Sequence, residues 1–360
     1  MAYTTINKST DYFNTVLYTS NNGTSPRTIS GVGFQPDFVW VKNRDSASYN
    51  HVLNDSVRGL NKILSSDTNG AELAANHAGG YISSANNDGF VITAGSSNLS
   101  NYDTGTNKQV VWNWKAGGGA GSANTDGDIN TTSTSVNTTA GFSISKYTGT
   151  GANATVGHGL GSVPAMIMIK NLGGTDSWMV YHKNSNATPE DYILQLNTTI
   201  AATDNNTIWN DTAPTSSVFS IGTDAGVNAN GANYIAYCFA EKTGYSKFGS
   251  YTGNGNNDGP FIYTGFKPTF VLTKMSSAID GWSLTDSVRD KAVTPNGARL
   301  LAETTQIEQT NQTWALIEKF SNGFKLRGTD NVTNLNGGTY IYMAIGQSIV
   351  GSNNVPAVAR

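Results

Sequence analysis

The sequence has a single cysteine, Cys238, among 360 residues, which excludes an internal disulfide framework. Its neighbours Tyr234-Ile-Ala-Tyr-Cys-Phe239 are apolar, so it reads as a small buried hydrophobe. Charge is scarce too: 13% of residues are Asp, Glu, Lys or Arg, against roughly 25% in an ordinary soluble domain. The formal net charge is −3, and no Lys/Arg stripe exists to displace counterions from phosphates, so nucleic acid is not expected as a partner. The scattered Lys and Arg read as solvated surface. No apolar run approaches the ~18 residues of a membrane span, and the start MAYTTINKSTDYF lacks the regions of a signal peptide. Synthesis in the cytoplasm, with later exposure by assembly or lysis, is expected.

Gly (40 residues), Asn, Ser and Thr fill the space that charge leaves, yet aromatics reach 10%. Disordered chains are poor in aromatics and rich in net charge. Here the aromatic and β-branched residues lie in short runs between turn-forming clusters, as in a loop-rich all-β protein.

Self-similarity is the strongest internal signal. Gly33-Phe-Gln-Pro36 precedes DFVWV and Lys42; Gly161-Ser-Val-Pro164 precedes AMIMI and Lys170; Gly265-Phe-Lys-Pro268 precedes TFVLT and Lys274. A Tyr-Thr dipeptide and a Gly/Asn turn stand before each, beginning at Tyr18, Tyr147 and Tyr251. Aromatic-rich closing runs follow at 109–114, 234–239 and 340–345, and a third echo lies between, ending in Phe90, Phe219 and Phe324. From the motif proline to the matched closing position (Trp112, Tyr237, Tyr342) the spacing is 76, 73 and 74 residues. These echoes predict three tandem, diverged antiparallel β-sandwich modules, jelly-roll-like in type, at 1–116, 141–243 and 244–347. The Gly/Ser/Thr-rich stretch 117–140 is expected to be a flexible or extended linker, and 348–360 a C-terminal arm. Two short stretches, Asp55 to Leu64 and Pro295 to Glu303, tolerate helix.

A further echo joins His51-Val-Leu-Asn-Asp55-Ser-Val-Arg58 to Trp282-Ser-Leu-Thr-Asp286-Ser-Val-Arg289, with Trp178-Met-Val-Tyr-His182 in the corresponding place. An Asp and an Arg three residues apart suit a buttressed bend better than a catalytic carboxylate, because no second acid or base recurs beside them. The four His (His51, His77, His158, His182) form no constellation with Ser or Asp. His-Glu-x-x-His and Cys-x-x-Cys spacings are absent. Asp126-Gly-Asp128 with Asn124 and Asn130 offers oxygen ligands but lacks the bidentate Glu and spacing of a calcium loop. Asp55, Glu72, Asp88, Asp286 and Glu303 are carboxylates that sequence alone does not bring together in pairs. Neither catalysis, nor a cofactor, nor a metal is expected. Trp178 and Trp209, flanked by polar residues, are the candidate ligand-binding side chains, aromatic faces on which a sugar would stack.

GFQPDFVWVKNR (33–44), YIAYCFAE (234–241), YSKFGSYTGNGNNDGPFIYTGFKP (245–268), SNGFKLR (321–327) and GGTYIYMA (337–344) together resemble a repeat family of marine tailed-phage virion and tail-fibre-type proteins. The resemblance spans about residues 11–347; only Ile345-Gly-Gln347 departs from the usual Phe-Ala-Glu ending. It implies a non-enzymatic structural protein of the virion, with other virion proteins as partners. Two roles follow: a surface-exposed tail-fibre-type appendage contributing to attachment to host-surface glycan or protein, or a capsid decoration protein binding across capsomers. Fibres commonly carry a trimerising shaft of heptads or tight β-repeats, and this sequence shows none. The family's labelling and the Asn/Ser/Thr-rich loops favour the appendage. A homo-oligomer is expected, a trimer for a fibre piece. From sequence alone, limited proteolysis should cut first between Ala116 and Ala140.

Overall fold

The computed structural model describes residues 4–290, 297–311 and 313–348. Strand makes up 41% and helix 6%, so the protein is all-β, built of several antiparallel sheets. The described helices are single turns such as Asn206–Trp209, Ala225–Asn228 and Asn331–Asn334.

One pairing scheme occurs in three successive segments. A motif strand (Phe38–Asn43, Pro164–Asn171, Phe266–Met275) lies between a hairpin partner (Val52–Asp55, Met179–His182, Trp282–Asp286) and a closing strand (Lys108–Trp114, Asn233–Ala240, Thr339–Ser348). The closing strand also pairs with the opening strand (Phe13–Thr19, Phe142–Thr148, Ser246–Thr252). A smaller sheet covers the outer face; in it Arg27–Ile29, Ala154–Gly157 and Phe261–Tyr263 pair with the strands carrying Phe90, Phe219 and Phe324. First strand with last, second with second-last, is the nested pairing of a rolled hairpin.

Local chemistry explains the recurring motif. Gly33, Gly161 and Gly265 all have positive φ, between +64° and +83°, where a side chain is strained. The proline three residues on lies two residues before the strand in the first segment (Pro36), opens it in the second (Pro164) and is its third residue in the third (Pro268), positions at or near the strand's start where a missing N–H costs little. In the second and third segments a bulge follows it, between Pro164 and Met166 and between Pro268 and Phe270. The register also corrects one sequence match. Trp40 faces Trp112 and Met168 faces Tyr237, but Leu272 faces Met343, so Met343 and not Tyr342 is the equivalent position.

Strand alternation divides each large sheet between two cores. Val39 and Val41, Ile167 and Ile169, and Val271 point outward beneath the small sheets. Phe38 and Trp40, Met166 and Met168, Phe270 and Leu272 point inward, into a single cluster that all three segments share. There Phe38 packs on Tyr237 at 4.6 Å between ring centres, Trp112 on Phe270 at 5.9 Å, and Phe239 on Phe248 at 6.5 Å. Trp40, Trp112, Trp178 and Trp282 are among the largest fully buried side chains. Each withdraws about 150–250 Å² from water, equivalent to about 4–6 kcal/mol at ~25 cal/mol per Å².

The stretch 117–140 departs from its expectation in part: most of 117–128 is exposed and without regular structure, as in an extended surface segment, but the rest is built into the fold. Ser133–Asn137 forms a strand on the edge of the second segment's large sheet, pairing with Phe142–Thr148. Ile129 and Ala140 are buried, and Ser122 bridges to Thr134. The entry to the stretch is clamped by Asp37, whose carboxylate accepts the N–H groups of Ala116 (2.7 Å), Gly118 (2.9 Å) and Gly119 (2.7 Å). Composition suggested flexibility because small polar residues bury little side chain, but they let the backbone pack closely, as Gly121 does against Thr134. The helix-tolerant stretches are not helical either. Asp55 to Leu64 is a turn returning to a bridge with Leu53, and within the other Leu300–Leu301 is a strand, Pro295 lying outside the described residues. The expected arm, beyond Ser348, also lies outside them.

With the stretch docked, limited proteolysis of the wild type should leave 116–140 intact. Asp37→Ala strands three N–H donors and should cost about 3 kcal/mol or more, by the value of hydrogen bonds to charged groups. Cleavage of the variant near Gly118 and not of the wild type, followed by mass spectrometry, is the expected result.

Candidate functional site

The segment junctions consume most of the side chains that sequence offered as functional. The seams form a cyclic series. Trp178 donates its indole N–H to the carbonyl of Ser65 (2.8 Å), Trp282 donates to Gln195 (2.9 Å), and His51, the equivalent residue of the first segment, reaches Leu301 through Nε2 (3.0 Å). Seven residues beyond each acceptor a backbone N–H crosses the same seam: Glu72 to Leu172, Ala202 to Ser276 and Glu308 to Arg44.

A second series uses the hairpin ends. Asp55 accepts from the Tyr237 hydroxyl (2.7 Å), and Asp286 accepts from the Trp112 indole (3.0 Å). The second segment carries His182 at this position, and the closing strand facing it offers Met343, which has no donor. His182 donates instead to the Tyr342 carbonyl (3.1 Å). Asp55 and Asp286 are paired across the turn with Arg58 and Arg289, all four fully out of solvent at their side chains. Burial alone would raise the Asp286 carboxyl, but Arg289 and the hydrogen bonds outweigh it and hold it below the usual range.

The motif lysines overturn the expectation of solvated cations. Lys42, Lys170 and Lys274 are wholly buried, and burial lowers each to about 8. Each ammonium donates to backbone carbonyls, Lys42 to Asn43, Tyr49 and Thr305, Lys274 to Met275 and Thr199. Their place at the end of an apolar strand was visible; their partners, some from another segment, were not.

The two candidate ligand-binding residues are interior. Trp178 is 0% exposed within the central core, and Trp209 is 2% exposed, donating to the Tyr192 carbonyl (3.1 Å) against Tyr181. Neither offers a ring face to a sugar. Their polar neighbours belong to tight turns, where the backbone needs Asn and Asp, and not to solvent exposure of the ring. The remaining carboxylates also have backbone or ionic partners. Glu72 faces Arg58 and Lys62, Asp88 accepts the N–H groups of Gly31 and Gly33, and Glu303 accepts from Trp282. Asp128 binds Thr155, and Asp126 binds Asn124. Among the described residues no group of three or more His, Cys, Asp or Glu is arranged to hold a metal.

Sequence reasoning missed an exposed aromatic face on the third segment. Phe261 and Tyr263 are 45% and 62% exposed, while Ile262 between them is buried. They stand on the edge strand of the small sheet, in the order Phe261–Tyr263, Gly323–Leu326, Ile317–Phe320. The registers place Phe261 beside Lys325 and Glu318, and Tyr263 beside Gly323 and Phe320. Phe261 leans across Gly323 to meet Phe320 edge-on, 6.0 Å between ring centres. A methyl group on Gly323 would stand 2.2 Å from the Ile262 carbonyl oxygen and 2.8 Å from the Phe261 ring. Asp258, Lys325, Arg327 and Glu318 line the side of this face and pair with one another. The signal was an apolar run on both faces of a strand that has cover on one face only.

Three buried histidines have a common electrostatic state. In His51, His158 and His182 Nδ1 accepts from Trp40 and from the backbone of Leu160 and Asn184, while Nε2 faces a carbonyl. Both ring nitrogens are satisfied only in the neutral form, and burial lowers all three, His182 to about 3. Below pH 6.5 the unfolded chain binds protons that the folded chain refuses, so stability falls as pH drops from 6.5 toward 3. At pH 4.5 His182 alone should have withdrawn about 2–3 kcal/mol, at ~1.4 kcal/mol per unit. His182→Gln keeps a donor toward Tyr342 and should be less stable at pH 7 by about 1–3 kcal/mol. Its deficit should narrow toward pH 4.5 in urea titrations, whereas parallel pH curves would contradict the neutral assignment.

No curated protein matches the chain. A family description matches residues 8–348, almost its whole length. The protein therefore belongs to the family described as Domain of unknown function (DUF7483).

Proposed function

We propose that the protein is a non-enzymatic structural component of a tailed-phage virion, a surface-exposed tail-fibre-type appendage that contributes to attachment to the host surface. The observation that carries this reading is a division of labour. The ionisable side chains that chemistry would need are engaged in the seams and turns of the body, whereas the third segment presents aromatic rings to solvent. Exposed apolar patches rimmed by polar groups mark interaction sites. A catalytic site usually keeps a perturbed acid or base in a cleft; here the strongly perturbed His51 and His182 have both ring nitrogens occupied and no free lone pair for a substrate. The motif resemblance given above supports the virion setting.

The central core is complete within one chain, with all three segments contributing. Self-association in the virion would therefore use outer faces, and a trimer is not needed to close the body.

Antibody labelling of intact particles of the phage that encodes this chain, imaged by electron microscopy, tests the proposal. Label on the tail or its fibres is the expected outcome. Label spread over capsid faces would replace the appendage reading with capsid decoration, and particles without label would overturn the virion assignment.

A further inference from the structure

The aromatic face is specific to one of three otherwise matching strands. The buried residues Ile29, Val156 and Ile262 occupy one equivalent position, each opposite the phenylalanine of its partner strand. On either side of them the first segment carries Thr28 and Ser30 and the second carries Thr155 and Gly157. The third carries Phe261 and Tyr263. The fold itself thus requires no aromatic at these positions, and two rings are kept in water where hydroxyls or hydrogen suffice elsewhere.

We propose that Phe261, Tyr263 and Phe320, laid over Gly323, form a stacking platform for a neutral saccharide. This rests on the attachment reading and names the ligand class. Residues two apart on a strand are separated by about 6.6 Å on the same face, so Phe261 and Tyr263 present neighbouring rings. Gly323, kept free of a Cβ by the close Ile262 carbonyl, lies between them and Phe320, and the Phe261 ring leans over it toward Phe320. The apolar C–H faces of a pyranose pack against such rings, while its hydroxyls need donors and acceptors at the edge. The edge supplies both. Asp258 lies 2.7 Å from Lys325 and 3.2 Å from Arg327, and Arg327 lies 2.8 Å from Glu318. Two acids against two bases leave no net charge to attract an ionic ligand, yet the exposed Asp258 carboxylate and the Lys325 and Arg327 N–H groups remain for hydroxyls.

The backbone disfavours a peptide adding to this edge. Pro260 has no N–H, and the N–H groups of Thr264 and Gly265 are both turned back to the Asn322 carbonyl. Only three residues of strand remain between them, so an added strand would find few backbone partners. The side chains, and not the strand edge, are the usable surface.

The test uses the full chain and a double variant, Phe261→Thr with Tyr263→Ser, which installs the residues found at the equivalent positions of the first segment. Affinity electrophoresis in gels containing dextran, mannan, β-glucan or chitin oligosaccharides measures binding, with thermal unfolding as the control for folding. Retardation of the wild type by at least one of these, weakened at least tenfold in the double variant at unchanged melting temperature, is the expected result. No retardation by any of the four, or equal retardation of wild type and double variant, would overturn the platform. The attachment reading fails separately: capsid labelling of particles together with ring-dependent retardation would leave the platform standing and move the protein to the head.

Discussion

Everything in this protein depends on one packing constraint: among the described residues, the inner faces of the three large sheets are covered mainly by one another. Each sheet is apolar on both sides. Its outer face is closed locally by a small sheet, with Phe90, Phe219 or Phe324 as the plug. Its inner face is closed where Phe38, Trp112 and Trp114 of the first segment meet Tyr237 and Phe239 of the second and Phe248 and Phe270 of the third. A segment removed from the others would expose a wall of aromatic rings, so the three should depend on one another for stability although they look separable in sequence.

The polar seams follow from that constraint. Sheets meeting around a common core leave strand ends and hairpin turns facing each other in low dielectric, where an unpaired group costs more than a paired one returns. The protein answers with side chains that reach a neighbour's backbone: Trp178, Trp282 and His51 in one series, Tyr237, Trp112 and His182 in the other. Where Met343 stands in place of a donor on the facing strand, the acid found at Asp55 and Asp286 is replaced by a histidine that donates to a carbonyl. A carboxylate there would have lacked the donor that its counterparts enjoy.

Much of the fold was legible because β-structure repeats locally. Turn glycines, strand-opening prolines and alternating apolar runs recur at matched intervals, and the motif strands and closing strands lie where these signals place them. The pairing of Asp with Arg three residues on is a local geometry that spacing can suggest. What spacing cannot carry is the partner from another segment. Lys42 looks like any surface cation until Thr305 arrives from the third segment, and Trp178 looks half-exposed until Ser65 arrives from the first. The docking of the stretch 117–140 is hidden from sequence for the opposite reason. Its small residues carry no apolar pattern, but a largely exposed backbone held by Asp37 at its entry and by a strand pairing at its end needs none. The aromatic face was missed because Phe261-Ile-Tyr263 reads as an ordinary strand, and its meaning comes from comparison with Thr28-Ile-Ser30 and Thr155-Val-Gly157.

If the central core is what holds the molecule together, the chain should unfold as one cooperative unit and not as three. Differential scanning calorimetry of the full chain measures this directly, by comparing the calorimetric enthalpy with the van't Hoff enthalpy of the transition. The account predicts a single peak with the two enthalpies equal within error. Separate peaks, or a calorimetric enthalpy two or three times the van't Hoff value, would mean that the segments are stable alone and that the shared core is a contact between finished domains.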